Sequence, residues 1–105
     1  MKLQWSDTAV RDLISIRRYI AEDKPTAAKT WVERLKSRAK NARHSPWSGR
    51  IVPELANENI REFIEGRYRI VYQVHENHVS ILTVFEAHRL FPTETSTTGA
   101  GKNAY

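Results

Sequence analysis

The apolar residues of this chain change period once, and that change divides it into a helical half and a strand half. Up to residue 42 they recur at about 3.6-residue spacing. Val10, Leu13, Ile14, Ile16 and Ile20 mark one face of a helix over residues 7–22, with Ser6 as N-cap and Asp7 favourably placed in the first turn. Asp23-Lys24-Pro25 interrupts the pattern, because proline breaks a helix interior yet suits the first turn of the next one. Ala28, Trp31, Val32, Leu35, Ala39 and Ala42 then predict a second helix over 26–42. So short a link implies an antiparallel helix hairpin.

After the turn-rich His44-Ser45-Pro46-Trp47-Ser48-Gly49 the period becomes two. A strand over Ile51–Leu55 is expected, with Pro53 suiting a strand end or edge. Ile60–Glu65 is a further strand, and Gly66-Arg67 a tight connection. Tyr68, Ile70, Tyr72 and Val74 alternate with Arg69, Val71 and Gln73, the pattern of a half-buried strand. Glu76-Asn77 turns the chain into Val79–Phe85. With Leu3-Gln4-Trp5 as an opening strand, the order is β-α-α-β-β-β. The fold class is α+β: an N-terminal strand, an antiparallel helix hairpin, then a three-stranded antiparallel sheet with the helices on one face.

The 105 residues suffice for one domain. We place it at 1–92, followed by a small, polar, aperiodic tail at 93–105 expected to be flexible. Cysteine is absent, which excludes disulfide scaffolds, thiolate metal sites and thiol nucleophiles. No apolar run approaches the ~20 residues of a membrane span, and Met1–Asp7 lacks the apolar stretch of a secretory signal, so a cytoplasmic location without membrane contact is expected. The four histidines are scattered and the four glycines form no phosphate loop, so neither a metal nor another cofactor is expected.

Net charge is +5, and its distribution is uneven: residues 1–50 carry 12 Lys/Arg against 5 Asp/Glu, residues 51–105 carry 5 against 7. Arg34, Lys36, Arg38, Lys40, Arg43 and Arg50 follow one another with no acidic residue between them. Such a block suits either a polyanionic partner or a solvated helix face. Arg61, Arg67, Arg69 and Arg89 fall on or beside strands. Arg69 sits mid-strand, opposite in phase to Tyr68, Ile70 and Tyr72, so it is expected on the open face of the sheet. There it can grip a phosphate or carboxylate bidentately, or form a cross-strand ion pair with Glu62 or Glu86.

Gly49-Arg50-Ile51-Val52-Pro53-Glu54-Leu55, Ile60-Arg61-Glu62, Tyr68-Arg69-Ile70-Val71-Tyr72-Gln73-Val74 and Ala87-His88-Arg89, in that order, resemble the RelE/ParE superfamily of toxins. The opening Trp5-Ser6, Ala9, Asp12-Leu13, Tyr19-Ile20 and Ala27-Ala28 look like the ParE pattern in particular. The resemblance spans residues 1–92. It implies the toxin half of a type II toxin–antitoxin pair, of the kind associated with plasmid stabilisation and growth inhibition. A cognate antitoxin would fold its C-terminal segment on the toxin, in a toxin–antitoxin hetero-oligomer.

Two targets are implied. ParE-like members poison DNA gyrase with no known hydrolytic chemistry, whereas RelE-like members cut messenger RNA on the ribosome. For RNA cleavage the matching residues are Glu54 as base, Arg69 as phosphate clamp and His88 as acid. The lysines that RelE-like enzymes carry on the strand before Arg69 are missing here, since that strand reads Ile60-Arg61-Glu62-Phe63. Gyrase is therefore the expected target, the ribosome with its mRNA the alternative, and an inactive antitoxin-binding member a third reading. The expected target- or partner-binding residues are Arg34, Lys36, Arg38, Arg50, Arg61, Arg69 and Arg89.

Overall fold

The Ser6 side chain accepts a hydrogen bond from the Ala9 N–H at 3.0 Å and so starts the first helix. A computed structural model describes residues 1–89 and 91. Strand β1 (Lys2–Trp5) leads into α1 (Asp7–Asp23), and Lys24 alone separates it from α2 (Pro25–His44), with Pro25 in the first turn. Both helices run slightly past their sequence-based limits. Four strands follow: β2 (Arg50–Ile51), β3 (Ile60–Glu65), β4 (Tyr68–Val74) and β5 (His78–Glu86). They join β1 in one five-stranded sheet of order β1-β5-β4-β3-β2. The β2–β3, β3–β4 and β4–β5 pairs are antiparallel, while β1 lies parallel to β5.

One expected strand is much reduced. In place of Ile51–Leu55 only Arg50–Ile51 pairs with β3, because the chain then turns. The Val52 carbonyl accepts from both the Leu55 and Ala56 N–H groups, and Ala56 has a left-handed φ of 49°. Pro53, without an N–H, helps to end the pairing.

The helices cover one sheet face. Ala9, Leu35, Ala39, Ala42, Phe63, Tyr68, Ile70, Tyr72, Val79, Ile81 and Val84 form that core, with Leu13, Ile16, Ile20 and Trp31 packed at its margin. The stripe expected from α2 is therefore inside, although Trp31 and Val32 are only half-buried. Gly66 turns β3 into β4 at φ +59°, and a Cβ there would lie 2.4 Å from the Trp31 ring.

The other face is not open, contrary to expectation. Val52, Ile60, Val71, Leu82, Phe85 and Phe91 form a second apolar cluster against it, joined by Leu55. Residues Tyr68 to Tyr72 are consequently all buried, so β4 is covered on both sides rather than half-buried. A bulge contributes: β4–β5 register slips between Val71 and Tyr72, which pair with Thr83 and Ile81. The extra Leu82 inverts the parity of β5, so Val79, Ile81 and then Val84 face the helices while Leu82 and Phe85 face outward. Residues 93–105, expected as a tail, lie outside the described residues.

Candidate functional site

The outer sheet face carries a chain of buried charge. Glu62 of β3 and Arg69 of β4 are almost inaccessible, at 1% and 5% exposure. Arg69 Nε donates to Glu62 Oε1 at 2.6 Å, and its two terminal nitrogens donate to the two Glu54 oxygens at 2.7 Å each. Arg50 Nε closes the chain on Glu62 Oε2 at 2.6 Å. The Phe85 and Phe91 rings lie 5.2 and 5.3 Å from the Arg69 guanidinium carbon. The turn at Val52–Ala56 thus serves to lay Glu54 over Arg69.

Electrostatics follow from that contact. The hydrogen bonds from Arg69 hold the Glu54 carboxyl below the usual carboxylate range, against a smaller opposing effect of burial. Bonds from Glu54 and Glu62 push the Arg69 guanidinium above its already high value. Of the two environments foreseen for Arg69, the ion pair is the one formed. It includes Glu62 as foreseen, and Glu54 in place of Glu86. With Nε bonded to Glu62 and both terminal nitrogens bonded to Glu54, Arg69 keeps no complete bidentate edge for a phosphate. Glu54, with both oxygens engaged and proton affinity lowered, is a poor general base.

Among the described residues no hydrogen bond or ion pair joins His88 to Glu54 or Arg69. His88 follows β5 with a 76% exposed side chain, and its Nε2 lies 3.9 Å from Glu86 Oε2. Arg67 at 3.7 Å and Arg89 at 3.9 Å share the same Glu86 carboxylate. The three residues matched to RNA cleavage therefore form one tight pair and one separate surface group.

The basic block is also interrupted in space. Glu65 of β3 reaches Arg34 at 2.7 Å and Arg38 at 3.5 Å, and Glu33 lies 3.9 Å from Lys36. Arg61 is spent on main chain: its guanidinium donates to the carbonyls of Trp47, Gly49 and Glu58 at 3.0–3.1 Å. Among the described residues no carboxylate lies within 4.0 Å of Lys40, Arg43 or Arg61.

One polar device is not announced by spacing, although Ser6 and Asp12 both belong to the ParE-like pattern. Beyond the end of β1, the free edge of β5 is closed by α1 side chains. Ser6 Oγ donates to the Leu82 carbonyl at 2.8 Å, and Asp12 Oδ2 accepts from Thr83 Oγ1 at 2.5 Å and from the Val84 N–H at 2.9 Å. Burial raises the Asp12 pKa despite those bonds. Beside this clamp a groove of about 350 Å³ runs between α1 and β5, past Ile16, Tyr19, Glu86 and Arg89. It shares Tyr19 and Tyr68 with a second hollow of about 620 Å³ that reaches Lys24, Trp31 and Arg67.

Among the described residues no group of three or more metal-ligating side chains comes together, and no helix is long and apolar enough to cross a membrane.

Comparison with known proteins agrees with this architecture. Among curated proteins no sequence matches this one. A solved chain of the chromosomal ParDE TA system from P. aeruginosa superimposes with a TM-score of 0.73 at 20% identity, covering 84% of this chain and 97% of that one. The family model for the ParE toxin of the type II toxin–antitoxin system parDE matches residues 3–91, both helices and every strand of the sheet. That match spans nearly all of the described chain, and on it the protein belongs to the ParE toxin family of type II toxin–antitoxin systems.

Proposed function

We propose that this ParE-family toxin poisons DNA gyrase by binding it, in the cytoplasm, and is neutralised by a cognate antitoxin. The observation that carries the reading is the closed Glu54–Arg69–Glu62 network. RNA cleavage needs a base with proton affinity to spare, a clamp open to the phosphate and an acid nearby. In this chain the candidate base and clamp neutralise each other, and the candidate acid is an exposed side chain bonded to neither. A binding poison needs none of the three. The exposed cations, Arg34, Lys36, Arg38, Arg50 and Arg89, remain suitable for contact with antitoxin or target. The partly exposed pairs of Arg34, Lys36, Arg38 and Arg89 are worth at most about 1 kcal/mol and exchange readily for a partner's carboxylates, whereas Arg50 stays bonded to the buried Glu62. Arg69, by contrast, acts by fixing the fold that displays them, and Arg61 secures the loop at Trp47.

Two assays test the reading. Purified gyrase in a supercoiling reaction should lose activity and accumulate cleaved DNA with the wild-type chain. Glu54→Gln and His88→Gln should inhibit equally well. Primer extension on messenger RNA in a translating extract should show no codon-positioned cuts. Cuts that disappear with His88→Ala, with gyrase unaffected, would replace this reading by ribosome-dependent RNA cleavage.

A further inference from the structure

The loop between α2 and β2 is unusually well secured for a surface segment. Tyr72, buried in the core, donates its hydroxyl to the Pro46 carbonyl at 2.7 Å and accepts from the Gly49 N–H at 3.0 Å. Arg61 holds the Trp47 and Gly49 carbonyls. Ser48 bonds back to the Ser45 carbonyl through its hydroxyl at 2.7 Å and its N–H at 3.0 Å. All this order presents an indole to solvent. Trp47 is 52% exposed, with the Arg61 guanidinium over one face of its ring at 5.1 Å. Folding gains little from such an arrangement, since an apolar side chain contributes in proportion to the area it removes from water.

The surroundings indicate what covers it. Ile51, the cross-strand neighbour of Arg61, is 40% exposed. The Val52 N–H bonds to the Ile60 carbonyl, so by antiparallel alternation the N–H and C=O of Ile51 point away from β3, along the free edge of the sheet. Among the described cations without a carboxylate within 4.0 Å, Arg61 lies at the Trp47 ring and Lys40 and Arg43 on the last two turns of α2, while Lys2, Arg11, Arg17, Arg18, Lys24 and Lys29 lie elsewhere. A rigid aromatic anchor, an arginine packed on it and a strand edge left unpaired among the described residues form the pattern of a protein-binding hot spot with room for an added strand.

We propose that the Trp47–Arg61–Ile51 face is a docking surface for an acidic, extended protein segment, with Trp47 as its apolar anchor and Ile51 as its main-chain contact. A nucleic acid would stack on the indole but would make no use of the outward amide of Ile51. Under the gyrase reading above, the segment belongs to the target.

The test uses a fluorescein-labelled acidic peptide carrying one central leucine, with binding to the full chain followed by anisotropy. The wild type binds it, more weakly as salt rises. Trp47→Ala and Ile51→Pro each weaken binding about tenfold or more, with melting temperatures close to wild type. Proline is tolerated at position 51 because the amide it removes bonds nothing within the sheet. The proposal is overturned if the peptide does not bind, if Trp47→Ala binds as tightly as wild type, or if a labelled single-stranded oligothymidine binds more tightly than the peptide. The same variants in the supercoiling assay separate the two readings. Peptide binding without gyrase inhibition by wild type rejects the gyrase reading alone. Gyrase inhibition unchanged in Trp47→Ala rejects this surface alone.

Discussion

Replacing Arg69 by methionine should be among the most damaging single changes available to this chain. Its side chain is 6% exposed and that of Glu62 fully buried. Methionine fills similar space but leaves Glu62 Oε1 desolvated without a donor, while Oε2 keeps Arg50. Glu54 loses both of its bonds but is partly open to water, so its loss costs far less. Removing one partner of a buried ion pair costs about 3–5 kcal/mol. Against a typical total of roughly 5–15 kcal/mol, that is a large share of stability. At about 4–8 °C per kcal/mol for a domain near this size, the midpoint should fall by roughly 12–40 °C. Urea unfolding followed by far-UV circular dichroism measures it directly. Glu54→Gln provides the scale, since an amide oxygen still accepts from Arg69 at a partly solvated site, and should cost about 1 kcal/mol. The double change Glu62→Leu with Arg69→Met should recover much of the loss, because an apolar pair leaves no charge stranded. A loss below about 1 kcal/mol for Arg69→Met, or a double variant no better than the single, would refute the claim that burial of Glu62 sets the cost.

Leu35→Ala, at a fully buried site in α2, should cost about 2–5 kcal/mol in the same assay. Gly66→Ala should cost more than about 1 kcal/mol, since it meets both a left-handed φ and the Trp31 ring; crystallography of the variant should show that ring displaced. Glu54 and Asp12 should give opposite slopes in a pH titration of stability. The lowered Glu54 pKa contributes stability that is present above the ordinary carboxylate value and lost as pH falls through the folded value. The raised Asp12 pKa does the reverse, adding stability as pH falls from its folded value towards the ordinary one. Asp12→Asn, whose amide oxygen still accepts the Val84 N–H, should abolish only the second slope and leave stability at neutral pH within about 1 kcal/mol of wild type.

The helix hairpin was readable because its signals are local: Ser6 caps, Pro25 restarts, and the stripe from Ala28 to Ala42 repeats on one face. The three longer strands were readable for the same reason. What escaped was the outer face of the sheet. Arg69 and Gln73 alternate with apolar residues just as solvent-facing positions do. Their lid comes from Val52, Leu55 and Phe91, which no spacing rule connects to β4. The bulge at Leu82 hid the facing of β5, because an extra residue changes parity without leaving a mark in composition. Within the candidate site, Glu62 lies on the adjacent strand and was a foreseeable partner for Arg69. Glu54 reaches it only because the chain turns at Ala56 rather than continuing as a strand. Asp12 enters the sequence reading only through the ParE-like pattern, and its role as a clamp depends on β1 being shorter than β5.

The pairing of the first strand with the last sets a timetable for biosynthesis. Ser6 and Leu82, bonded in the finished sheet, are 76 residues apart in the chain. Until β5 has left the ribosome, β1 has no neighbour, β4 lacks one of its two, and the part of α1 that packs on β5 is uncovered. Closing so long a loop is entropically slow compared with forming the local helix pair. A nascent toxin should therefore stay incompetent for almost the whole of its translation and acquire its structure in one late step. Premature termination between Val74 and His78 would release a fragment whose β1 and β4 both lack their β5 neighbour, a substrate for proteases and aggregation rather than a partly active poison.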